Sequence, residues 1–70
     1  MAIFEMNKAE RCVTLATWLM EGDSFTIREA ATRLDENYKN IWRDIDTIAR
    51  VMPVAKDEEG KYLLVRLLSP

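Results

Sequence analysis

Residues 25–50 read FTIREAATRLDENYKNIWRDIDTIAR, and the spacing of the apolar residues in this stretch decides the fold. Ile27, Ala30, Ala31 and Leu34 recur at i, i+3, i+4 and i+7, the stripe of one helix face. Thr26 and Glu29 have the spacing of a capping box, and Phe25 and Ala30 stand where a hydrophobic staple would close. The spacing predicts a helix over about 27–35. Its two alanines leave room for another helix to cross closely. Asp35, Glu36 and Asn37 then make a turn, in which Asn37 tolerates unusual backbone angles and can cap the next helix. Ile41, Ile45, Ile48, Ala49 and Met52 mark one face of that helix, over about 38–52, which Pro53 stops. Three isoleucines lower helix propensity, but their spacing is helical and not alternating. The turn is too short for the two helices to lie antiparallel.

Toward the N-terminus, Asn7 and Glu10 form another capping box. Cys12, Leu15, Ala16 and Leu19 continue it as a helix face over about 8–21, closed by the left-handed residue that Gly22 supplies. Trp18 lies off that stripe, placed to pack on the hairpin or a partner. Cys12, between apolar neighbours, reads as a buried, inert thiol. Asp23, Ser24 and Phe25 form a brief extended segment. Beyond Pro53, a polar loop with Gly60 separates two β-rich runs and predicts a hairpin over about 54–68. A two-stranded ribbon is unstable alone and must lie on the helices.

Seventy residues make one domain. So small a core gains from dimerisation or a partner, and the apolar run Ala2, Ile3, Phe4 and Met6 is free for either. One cysteine and no histidine leave no internal disulfide and no usual zinc site. No nucleophile motif or glycine-rich phosphate loop occurs. The expectation is a non-enzyme without metal or cofactor. The N-terminus lacks the pattern of a signal peptide, and no apolar run approaches membrane-spanning length, so a cytoplasmic location without membrane contact is expected. Net charge is −2, unevenly spread: residues 1–35 hold four basic against six acidic groups, residues 36–70 six against six. DNA binding would require the cations to gather on one face.

The order helix, extended segment, helix, turn, helix, hairpin is that of an α+β winged helix-turn-helix: three helices followed by a two-stranded β-hairpin wing. From Glu10 to about Leu67 the chain resembles the winged helix-turn-helix domains of bacterial and phage regulators, the deoxyribose-repressor (DeoR) type above all. The matching segments are Ser24-Phe25-Thr26-Ile27-Arg28-Glu29-Ala30-Ala31 and Asn40-Ile41-Trp42-Arg43-Asp44-Ile45. The resemblance implies that the third helix is the recognition helix and that the loop from Lys56 to Lys61 is the wing. The approach to that helix carries one cation, and the tip Asp57-Glu58-Glu59 is acidic, unlike a phosphate-gripping wing.

The expected function is sequence-specific, regulatory binding of double-stranded DNA, by a dimer. Tyr38, Lys39 and Asn40 stand where a recognition helix meets base edges. Asn pairs with adenine, Lys with guanine or phosphate, and Arg43, one turn on, with guanine. Thr47 follows one turn later. Arg43 has Asp46 and Thr47 as competing surface partners. Asp44 and Asp46 flank it and are expected to face other protein groups. Thr26 and Arg28, at the start of the second helix, are placed for a backbone phosphate, as are Lys56 and Lys61 at the base of the wing. Trp18, Trp42, Phe4 and Phe25 read as core or interface, with Trp42 half-buried. The acidic balance and the apolar ends support the alternative, a protein–protein interaction module or adaptor with little intrinsic DNA binding.

Overall fold

A carboxylate sits at the centre of the helix packing. The computed structural model describes residues 5–66; the apolar residues Ala2, Ile3 and Phe4, and Leu67 and Leu68 at the far end of the expected hairpin, lie outside them. Helices α1 (Lys8–Met20), α2 (Ile27–Leu34) and α3 (Tyr38–Ala49) are followed by strands β1 (Val54–Lys56) and β2 (Tyr62–Leu64). The fold is α+β, three helices and then a two-stranded antiparallel hairpin.

Each helix starts at the cap read from the sequence. Asn7 and Thr26 each accept from the backbone N–H three residues on, and Glu10 and Glu29 reach back to the cap N–H groups, completing both boxes. Asn37 caps α3 by accepting from the amide of Asn40. Gly22, at φ +90°, ends α1 as expected. The left-handed residue of the α2–α3 turn is Asp35, at φ 51°, rather than Asn37, which keeps extended angles to serve as cap. Helix α3 ends at Ala49, three residues short of the expected limit. Arg50 and Val51 bond back to Thr47 and Ile48 in a tighter turn, and Ala49 is exposed while Met52 is half-buried beyond the helix. Pro53 disfavours helical geometry in the residue before it, so the chain unwinds early.

Leu15, Leu19, Phe25, Ile27, Ala30, Ile41, Ile45 and Ile48 form the core. Phe25 exchanges two backbone hydrogen bonds with Tyr62, at 3.2 and 2.7 Å, so the segment before α2 is an edge partner of β2. Strand pairing sets Val54 against Leu64, Ala55 against Leu63 and Lys56 against Tyr62. Both strands are three residues long within the described range, shorter than the expected run. Trp18 meets Phe25 edge-on, with ring centroids 5.6 Å apart, and carries the Arg33 guanidinium over its face. It is part of the core margin.

Asp44 is fully buried among these apolar groups. One carboxylate oxygen accepts from Arg11 Nε at 2.6 Å, the other from Lys8 Nζ at 2.9 Å and Arg11 Nη2 at 3.4 Å. Both cations come from the first turns of α1, so the carboxylate fixes α3 against α1. Arg11 also reaches Glu36 at 3.5 Å and the Met6 carbonyl at 3.2 Å. Of the two flanking aspartates, Asp44 faces protein groups, whereas Asp46 is exposed and pairs with Arg50 on the same helix.

A buried charge that loses its partner destabilises more than the pair stabilised. Arg11→Met is expected to lower unfolding free energy by about 3 kcal/mol, and the double variant Arg11→Met/Asp44→Leu by less than the single one. Urea unfolding of the three proteins checks this.

Candidate nucleic-acid interface

The side of α3 opposite Ile41, Asp44, Ile45 and Ile48 presents Lys39, Arg43, Asp46 and Arg50, as a rotation of 100° per residue requires. Tyr38, Lys39, Trp42 and Arg43 line one shallow depression there. Lys39 and Arg43 are exposed and make no ion pair with any described residue. Of the two competitors for Arg43, Asp46 is engaged by Arg50 at 3.3 Å, and the Thr47 hydroxyl donates to the Arg43 carbonyl at 3.0 Å without meeting the guanidinium. Thr47 is exposed and keeps its oxygen free to accept.

Asn40 stands off this group. It is half-buried, and its side-chain amide donates to Glu36 at 2.7 Å, the carboxylate that also meets Arg11. The structure draws Asn40 into the network that holds α3 rather than setting it beside Lys39 and Arg43. The same hydrogen bond is the main cause that lowers the Glu36 pKa, followed by the Asn37 backbone N–H.

On α2, Thr26, Arg28, Glu29, Thr32 and Arg33 line a second depression. Thr26 Oγ1 serves as the helix cap, accepting from Glu29 N at 3.0 Å. Arg28 is exposed and makes no ion pair among the described residues, while Arg33 pairs with Asp23 at 2.9 Å. On the hairpin, Lys56 lies over the Tyr62 ring, 5.7 Å from its centroid. Lys61 turns instead to Glu29, 3.7 Å away, and ties the hairpin base to α2. In the loop, the Asp57 carboxylate accepts the amides of Glu59 and Lys61, at 2.8 and 2.9 Å, and Gly60 takes φ +83°. The first acidic residue of the tip thus shapes the turn, and Glu58 and Glu59 remain exposed.

The basic residues therefore divide by their partners. Lys8, Arg11, Arg33, Arg50 and Lys61 are paired with carboxylates, and Arg66 donates to the Met20 carbonyl. Arg28, Lys39, Arg43 and Lys56 have no carboxylate partner among the described residues, and all four are among the candidates that the sequence marks.

Of the two placements expected for Trp42, core or interface, the structure excludes the core. It is 52% exposed and adjoins Lys39 and Arg43, outside the core. Its place four residues after Tyr38, also 52% exposed, is the signal in the sequence that points outward. Cys12 is half-buried against the Asp44 carbonyl, its thiol pKa pushed up chiefly by burial. Among the described residues, no helix is long and apolar enough to cross a membrane.

Comparison with protein-family models, curated proteins and solved structures gives no match.

Three carboxylates titrate lower in the folded chain than their ordinary values: Asp23 chiefly through Arg33, Glu29 through the Thr26 amide and Glu36 through Asn40. The unfolded chain binds these protons more tightly, so their contribution is complete above the unfolded values and is lost as pH falls through the folded ones. The thermal midpoint is expected to decline below about pH 4.5, less steeply in Glu36→Gln. Calorimetry between neutral and acid pH measures both slopes.

Proposed function

We propose that this chain is a winged helix-turn-helix domain of the deoxyribose-repressor kind and that it binds double-stranded DNA, with α3 in the major groove and the hairpin beside the backbone. The observation that carries the reading is the set of unpaired cations, Arg28, Lys39, Arg43 and Lys56, on α2, α3 and the hairpin. A chain of net charge −2 has little general attraction for a polyanion, so affinity would arise from a few placed contacts. The internal use of Lys8 and Arg11 supports this. Their charge is taken by Asp44, and the remaining free cations lie on the later elements.

In this reading Arg43 meets a guanine edge, Lys39 a phosphate or guanine, and Arg28 and Lys56 the backbone. Tyr38 and Thr47 flank the base-reading pair. Thr26 and Lys61 act by holding the α2 start and the hairpin base, and Asn40 by anchoring the first turn of α3. The biological role is transcriptional regulation, carried out in the cytoplasm by a dimer.

A second reading, a protein–protein interaction module, has one observation of its own. Met6, Ala9, Glu10, Val13 and Thr14 line an apolar groove on the outer side of α1, where Val13 is 66% exposed. The two readings separate by salt dependence, because neutralising phosphates releases counterions and protein contact does not.

Fluorescence anisotropy on a duplex selected by the chain from a random library tests the proposal. Affinity is expected to fall steeply with salt. Arg43→Ala should weaken binding by about 1–3 kcal/mol and relax selection at one position, and Lys39→Ala should reduce the salt slope by about 1. Absence of duplex retention at low salt would sink the DNA reading.

A further inference from the structure

Two large aromatic side chains stand exposed on the helix that carries two of the free cations. Phe25 is fully buried and Trp18 packs against it, with Arg33 over its outer face. Trp42 and Tyr38, by contrast, are each half in solvent. They are four residues apart, on neighbouring turns of one flank of α3. Lys39 and Arg43 form a parallel i, i+4 row beside them, and the four line a single depression. An indole left in water is unfavourable, and the described residues leave about half of the Trp42 side chain uncovered.

The surface thus pairs an apolar strip with a cationic strip along a helix narrow enough for the major groove. That groove is polar and anionic except at one group, the 5-methyl of thymine. Charge complementarity selects the polyanion, and the exposed indole matches its apolar feature. We propose that Trp42, supported by Tyr38, reads thymine methyl groups in the major groove, next to the base step contacted by Arg43. This deepens, and rests on, the reading of α3 as the DNA-contacting helix. It makes Trp42 a specificity-determining residue and gives the target a thymine adjoining a guanine contact. A stacking role on single-stranded DNA would need an unstacked base laid on the ring; a helix of groove width with its flanking cation row suits a closed duplex groove instead.

The test replaces thymine by 2′-deoxyuridine, one position at a time, in the duplex selected by the unmodified chain. The replacement deletes the methyl and leaves base pairing intact. Wild-type affinity is expected to drop about fourfold at one or two positions, the worth of one buried methyl-sized group. In Trp42→Ala the same replacements should have no effect, since the contact is already absent. The wild-type measurement stands whether or not the variant folds, and Trp42→Leu, which keeps an apolar side chain, should retain part of the methyl dependence. Duplex binding without any deoxyuridine effect would overturn the thymine assignment and leave DNA binding intact. An equal deoxyuridine effect in Trp42→Ala would overturn the role of Trp42. Tighter binding to the single strand than to the duplex would overturn groove reading. Failure to bind any duplex would remove the DNA reading and this inference together.

Discussion

The buried carboxylate of Asp44 is the constraint on which the arrangement of α1 and α3 depends. An ionised carboxylate out of water is tolerated only with partners of opposite charge in good geometry. Here it has Arg11 and Lys8, at 2.6 and 2.9 Å. Both partners lie near the start of α1, so the charge pairing fixes how α3 is rotated as well as how near it lies. Ile41, Ile45 and Ile48 then face the core, and Lys39 and Arg43 are directed outward. Apolar packing alone is non-directional and would hold the helix less specifically.

The same contacts reorganise the electrostatics. Two cations of α1 are neutralised internally, and Glu36 is shared between Arg11 and Asn40. Lys61 is held at Glu29 and Arg33 at Asp23. What remains unpaired belongs to α2, α3 and β1. Net charge, which is slightly negative, is therefore a poor guide to this surface. Local placement decides which cations are left without a carboxylate.

Much of the fold is legible in the sequence because its signals are local. Both capping boxes, the Asn37 cap and the Gly22 stop depend on residues within four positions of one another. The Asp44 network is legible only in part. Its position, three after Ile41 and four before Ile48, puts it on the buried stripe, but its partners are 33 and 36 residues away. Periodicity carries no information at that range. The free cations are legible because a charged residue opposite an apolar stripe must face outward. Asn40 and Lys61 are at positions the pattern leaves exposed, yet Glu36 and Glu29 engage them. Trp42 reads as half-buried beside the Ile41 stripe, and it is 52% exposed; the pattern leaves open which half is covered.

A DNA-reading α3 requires that its outward side meet the duplex while the α1 side stays clear of it. Backbone amide chemical shifts, followed as the selected duplex is added at low salt, test this most directly. Perturbations are expected to concentrate at Tyr38, Lys39, Trp42 and Arg43, with smaller ones at Arg28 and Lys56 and little change at Ala9 and Val13. Perturbations centred on α1, or shifts that persist unchanged as salt is raised, would contradict it.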